Sequence, residues 1–429
     1  MSQTVILRAS QWEALSLEAA RQALAQYLLP TSAKRVLLVP PDITRLPSMA
    51  GQLTAMAYEL LAPTCGHIDV MPALGSHLPM TEEERRRMFG DGIPQSAYLV
   101  HRWREDVVRV GEVPAQTVRA ISGGLMQDAI QVEVNRALVE GGYDVILALG
   151  QVVPHEVAGM SGYSKHILVG LGGPAIINRS HMLGAVCGME QAMGQDHAPV
   201  RQVLDYAQQH FLDALPLSYC LTVIGQRDGH NALVGLMLGR DRSAYEAAVE
   251  AVQQENITLL DQPAERVVCY MDPEEFRSTW LANKAIYRTR MAIADGGELI
   301  VLAPGIRMFG EDEALNGLIE RYGYRGTEAV LNNVREHEDL AGNLSVAAHL
   351  IHGSSEGRFT IRYCAPGLGR QRVEGVGFAY GDLEEWLACC PPERMAEGWN
   401  TLADGSAVYF IHNPALGLWS TRDRFDRQG

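Results

Sequence analysis

At 429 residues and 47.0 kDa the chain is too long for one ordinary core, so two domains are expected. Its net charge of −15, from 51 acidic against 36 basic residues, argues against non-specific nucleic-acid binding and against an anionic membrane surface. Seven scattered cysteines without a CxxC pair read as reduced thiols of a cytoplasmic protein. The N-terminus shows no signal-peptide pattern, and no apolar run approaches the roughly 20 residues of a membrane helix.

In chain order, residues 4–8 predict an edge strand and 17–29 an amphipathic helix. A strand over 35–40 ends at a Pro-Pro pair and spills into Asp42-Ile43-Thr44-Arg45, ahead of a helix over 48–61. The next strand, 67–74, is followed by Gly75-Ser76-His77 and by a helix opened by a capping box, Thr81 with Glu84. A strand is expected at 98–101, with a connection through 111–114. The apolar run 143–150 reads as a buried parallel strand that empties into a glycine-rich stretch carrying His155, Ser161, Tyr163, Lys165 and His181. Helices over 200–212 and 243–254 flank strands at 220–224 and 232–238.

Near 261–264 the rhythm restarts. A strand at 267–270, one long helix over 273–294 and a strand over 296–304 are expected there. Helices near 312–322, 326–337 and 342–352 and strands near 358–363 and 371–378 follow. The tail from 407 reads as a strand returning to the first domain. The expected fold class is therefore α/β with two domains. A larger N-terminal domain, 1–262, has a mainly parallel sheet and is completed by 402–429. A smaller α/β domain spans 263–401, and the active site is expected in the cleft between them.

Each polar residue at the strand ends admits two readings. His77 and His155 are either structural loop histidines or an opposed pair able to move protons on two faces of a substrate. Asp42 and Arg45 form either a capping turn with a surface ion pair or an anion site built on a guanidinium fork. Lys165 is either solvated, or a cofactor attachment or anion contact. Lys284 and Arg288 make a basic stripe whose plain reading is a solvated face. The histidine spacing is not that of a zinc site.

Together these pieces resemble the nickel-pincer lactate racemases and related 2-hydroxy-acid racemases and epimerases. The family pattern is Asp-x-Thr-Arg after a strand, Gly-x-His after the next, then His-x-x-x-Gly-x-Ser-Gly-x-x-Lys, and a histidine sixteen residues on. Here it falls on Asp42 and Arg45, on Gly75 and His77, on His155 through Lys165, and on His181. The resemblance implies an isomerase with a nickel-pincer nucleotide bound covalently to Lys165 (a pyridinium-3-thioamide-5-thiocarboxylic acid mononucleotide). It further implies Asp42 and Arg45 at the cofactor, His181 as nickel ligand, His77 and His155 as catalytic acid and base, and Lys284 on the substrate carboxylate. The implied partners are a small 2-hydroxy acid and, transiently, the enzymes that make the cofactor; no nucleic acid or membrane is expected. The chain departs from lactate-type members at Leu78, Tyr163 and Trp280-Leu281. Residues 287–305 look more like the sugar-acid branch, so the implied activity is C2 inversion of an aldonic acid of the gluconate or mannonate type. Lactate or malate as substrate, or a binding protein without turnover, are the competing readings.

Overall fold

The computed structural model describes residues 3–10, 12–30, 32–415 and 417–426. The chain divides into two compact units, Met1–Ser180 with Gly194–Asn256, and His181–Met193 with Ile257–Gly429. The division thus falls inside the helix Pro174–Cys187, between Ser180 and His181.

The first unit is built on a six-stranded sheet in the order Val5–Arg8, His230–Gly239, Leu217–Arg227, Val145–Gln151, Arg35–Val39, His67–Val70. The last four of these strands are mutually parallel, and the first three pair antiparallel, with Val5–Arg8 at the edge. The apolar runs explain the order. Val36, Leu37, Leu38 and Val39 are all fully buried, as strands covered on both faces require. Burying a side chain such as Leu37 contributes about 1.5–3 kcal/mol. Ser16 caps the helix Leu17–Leu28, and the Thr81–Glu84 capping box opens the helix Glu82–Phe89 as expected.

Residues 98–101 form no strand: Tyr98 makes only an isolated bridge to Val70. The strand lies later, at Val107–Val113, where it forms a hairpin with Ile130–Asn135 and carries a register shift between Arg109 and Gly111. What reads as a connection at Gly111 is therefore a bulge.

The second unit has its own six-stranded sheet, in the order Ala379–Tyr380, Thr360–Cys364, Ile293–Leu302, Ala264–Tyr270, Ala407–Ile411, Gly398–Thr401. All pairs are parallel except the last. The tail does not return to the first domain. Ala407–Ile411 pairs with Ala264–Tyr270, and Leu418–Thr421 pairs with Ile257–Leu260. The buried stretch 267–269 needs hydrogen-bond partners on both sides and takes one of them, residues 409–411, from the tail.

The long helix expected over 273–294 is broken. Ser278 is extended and bridges Met308, leaving the short helices Thr279–Ala282 and Lys284–Thr289 before a strand that already starts at Ile293. Within that strand Gly296 has φ +80°, and the pairing with Ala264–Tyr270 shifts register there, forming a bulge. Residues 371–378 are not a strand. Arg370–Gly375 is a helix, and Val373 and Val376, three apart, share its buried face. The segment His181–Met193 belongs here because Met182, Ala185, Met189 and Met193 enter this unit's core, while Glu190 pairs with Arg290 at 2.7 Å and Arg358 at 3.2 Å.

Candidate active site

In the first unit the three parallel strands Arg35–Val39, His67–Val70 and Val145–Gln151 deliver their following loops to one end of the sheet. After the Pro40-Pro41 pair, Asp42 caps a short 3₁₀ turn, Ile43–Ser48. One of its carboxylate oxygens accepts from the Thr44 amide at 3.1 Å and the Thr44 hydroxyl at 2.5 Å. The other lies 2.5 Å from His77 Nδ1. Burial by itself raises the Asp42 carboxyl. The opposing charge of His77, hydrogen bonds from His77 and Thr44, and Arg45 more than reverse this, so it sits below the ordinary carboxylate range.

His77 is placed by a turn pinned at both ends. Its amide donates to Leu74 O at 2.9 Å, and the amide of Gly75 (φ +57°) donates to Gly170 O at 2.8 Å. Gly170 follows the Lys165 helix and has no room for a side chain, since a Cβ there would meet that of Ala73 at 2.8 Å. The loop carrying His77 and the helix carrying Lys165 are thereby tied together.

His155 is buried in the two-residue strand Pro154–His155, paired with Gly159–Met160. Its Nδ1 accepts from the Val157 amide at 3.1 Å, which assigns the ring proton of the neutral form to Nε2. His77 has the opposite polarity. Its Nδ1 donates to a carboxylate, so the neutral ring keeps an unprotonated Nε2. One imidazole is set to accept a proton and the other to give one.

Lys165 lies in the short helix Ser164–Leu168 and is partly buried. Burial and the nearby guanidinium of Arg45 push its amine down to about 8, with Glu156 opposing and Arg201 assisting. His166 beside it donates to Val39 O at 3.0 Å; burial holds it neutral, with a pKa lowered to about 4. The Lys165 helix is thus anchored to the end of the strand Arg35–Val39. Ser161 serves the loop's shape, donating to Gln151 O at 2.7 Å and accepting from the Val153 amide at 3.0 Å.

Of the residues singled out from sequence, the first unit joins Asp42 to His77 directly and puts Arg45 within electrostatic reach of both Asp42 and Lys165. His155 follows the neighbouring strand, and its neighbour Glu156 acts on Lys165. His181 and Lys284 belong to the second unit. There the Lys284 ammonium lies 5.6 Å from the Phe276 ring centre. Arg288 is fully buried, so the basic stripe is no solvated face. Among the described residues no three His, Cys, Asp or Glu side chains gather at metal-ligand spacing.

Reading by motif passes over His166, Glu156 and Arg201, whose roles are set by contacts distant in sequence. One signal was available. Only three of the 36 basic residues are lysines, at 34, 165 and 284. A chain that otherwise uses arginine for charge keeps an amine, the more easily neutralised and nucleophilic group, at both singled-out positions.

Residues 13–194 match the model of the lactate racemase N-terminal domain. A lactate racemase of Thermoanaerobacterium thermosaccharolyticum is 24% identical over 285 residues, which are 64% of this chain and 61% of that protein. The match thus spans about three-fifths of the relative's own length. A crystal structure from Thermotoga maritima shares the fold with a TM-score of 0.81 at 23% identity, covering 97% of this chain and 100% of the other. The lactate racemase apoprotein of T. thermosaccharolyticum superimposes with a TM-score of 0.68 at 18% identity, covering 93% of this chain and 88% of its own. The stretch similar to that family model, residues 13–194, holds Asp42, Arg45, His77, His155, Lys165 and His181.

Proposed function

We propose that this chain is a racemase or epimerase that inverts C2 of a 2-hydroxy acid. The observation that carries the reading is the opposed hydrogen-bond polarity of His77 and His155, in one unit with an amine pushed down to about 8. Inverting a carbon that bears a hydroxyl requires a proton acceptor and a proton donor on opposite faces, exchanging roles with the direction of reaction. His77, with Asp42 behind it, takes the hydroxyl proton at Nε2, and the Asp42 carboxylate stabilises the imidazolium that forms. His155 supplies a proton from Nε2 on the return. Lys284 is the cation for the substrate carboxylate.

The donor set fits a tethered nickel-pincer nucleotide. Lys165 is nucleophilic near neutral pH, Arg45 offers a fork for a phosphate, and His181 is a nitrogen ligand of the kind nickel accepts. Lys165 would carry the group covalently, Arg45 and Asp42 would stand at it, and His181 would ligate its metal. When bound, such a group supplies a pyridinium carbon that takes hydride from C2 and returns it. The protein orients the substrate and manages the protons.

For the substrate we favour an aldonic acid of the gluconate or mannonate type. Leu78, 79% exposed directly after His77, and Trp280-Leu281 ahead of Lys284 replace polar residues usual in lactate-type members. Co-expression with the cofactor-synthesis enzymes, followed by intact-protein mass spectrometry and nickel analysis, tests the tether. Wild type is expected to carry an adduct and nickel that Lys165→Ala lacks; a wild-type chain without either would sink the reading. Chiral chromatography of aldonic acids, lactate and malate then identifies the substrate class. A loaded protein that leaves all of them unchanged would point to binding without turnover.

A further inference from the structure

Arg201, in the helix Pro199–Ala207, is completely buried. Its guanidinium donates three hydrogen bonds to one turn: Nη1 to Ser164 Oγ at 2.6 Å, and Nη2 to Met160 O at 2.6 Å and Gly162 O at 3.3 Å. These are alternate residues of the segment immediately before Lys165. That segment is strained. Gly162 has φ +78°, and Tyr163, which is not a glycine, has φ +53°. Tyr163 is held there by stacking on Tyr245 at 5.2 Å and contact with Tyr219 at 4.6 Å, while Arg201 covers the Tyr245 ring at 4.6 Å.

A neutral donor could satisfy the same two carbonyls and hydroxyl, so the retained cation calls for its own account. Its nearest carboxylate, Asp205, lies 3.7 Å away and is shared. One Asp205 oxygen accepts from Ser164 Oγ at 2.5 Å and the other is held by Arg242. Arg201 Nε is buried without a hydrogen-bond partner. Its charge therefore remains incompletely cancelled beside the turn.

We propose that Arg201 is the positioning residue for Lys165, holding the strained turn of residues 160–164 so that the amine leaves it in one direction, toward an activated acyl donor. Its charge works to the same end: with Arg45 it disfavours the protonated amine, against the opposing pull of Glu156, while buried His166 stands neutral alongside. The proposal rests on reading Lys165 as a tether, and its readout is independent of any bound group.

The test uses the full chain expressed without cofactor-synthesis enzymes and N-hydroxysuccinimidyl acetate as probe. The amine lone pair forms a bond to the acetyl carbon, the bond from that carbon to oxygen breaks, and N-hydroxysuccinimide leaves with the proton. Peptide mass spectrometry follows Lys165 against exposed Lys34 from pH 6 to 10. In wild type the Lys165 rate is expected to reach half its maximum near pH 8. In Arg201→Gln the midpoint rises, and each unit of rise lowers the Lys165-to-Lys34 ratio at pH 7.5 roughly tenfold. Arg201→Lys keeps the charge and loses the fork, so its midpoint stays while its maximal rate falls; Ser164→Ala does the same.

A folded Arg201→Gln protein with wild-type midpoint and ratio would overturn the proposal. If that variant does not fold, wild-type maximal rates in both Arg201→Lys and Ser164→Ala overturn it instead. An absent nickel adduct beside an Arg201-dependent amine would defeat the tether reading alone. An adduct beside an Arg201-independent amine would defeat only the positioning role.

Discussion

Two polar constellations, one in each unit, differ in composition and in state. In the first, Asp42, His77, Arg45 and Lys165 combine a carboxylate held below its ordinary range with an amine pushed down to about 8. In the second, Tyr363 donates to Asn283 at 2.6 Å, and Tyr324 and Tyr287 each lie 2.9 Å from a ring nitrogen of His349. Thr279 meets Tyr324 at 3.0 Å, and Trp280 stacks on His349 at 4.3 Å. Burial pushes the Tyr324 and Tyr363 phenols far above neutral pH, so these groups keep their protons. A buried network of neutral groups that satisfy one another specifies a packing. An amine shifted toward neutral pH by burial and neighbouring charge, as at Lys165, is the kind of group found poised for chemistry.

The contrast can be broken most forcefully at Lys165. Lys165→Ala is expected to remove the mass adduct and reduce C2 inversion to background in loaded preparations, with folding retained by circular dichroism. Next in size is Asp42→Asn. An amide facing His77 Nδ1 favours the ring tautomer protonated at Nε2, so kcat should fall by about 10²–10⁴ with little change in KM. A variant within twofold of wild type would mean His77 is not the base.

Lys165 also gives a stability signature. In the unfolded chain the amine holds its proton to about pH 10.4, but in the folded protein only to about 8. Below 8 both states bind that proton, and the folded state bears the full penalty of a cation there. Between about 8 and 10.4 the unfolded chain binds more protons, so stability rises with pH. Lys165→Met should therefore be more stable than unloaded wild type at pH 7, by about 1–3 kcal/mol, with the gap closing as pH approaches 10.4. Denaturant titrations at pH 7 and 10 measure it, and an equal gap at both would refute the shift.

The smallest effect is expected in the second unit. Tyr363→Phe leaves Asn283 short of one buried donor and should lower stability by about 1–2 kcal/mol while leaving the Lys165 acetylation profile intact. A changed profile would show that the two constellations are coupled.

Much of this is legible in the sequence. Covered parallel strands must be apolar throughout, so 35–39 and 145–151 announce themselves, as do the capping box at Thr81 and the polar residues that follow each strand. Other features depend on partners distant in sequence. The break at Ser278 goes with its pairing to Met308, and over 370–378 Val376 and Phe378 alternate as in a strand while Val373 and Val376 share a helical face.

By itself, then, the sequence determined the α/β class and the apolar strands whose following loops carry Asp42, Arg45, His77, His155 and Lys165, because hydrophobic period is a local property. Tertiary structure alone decided that the tail pairs with Ala264–Tyr270, that His181 clusters with the second unit, that His77 and His155 are oppositely polarised, and that Arg201 grips the turn before Lys165. Each of these is a hydrogen bond or packing contact between residues that become neighbours only when the chain is folded.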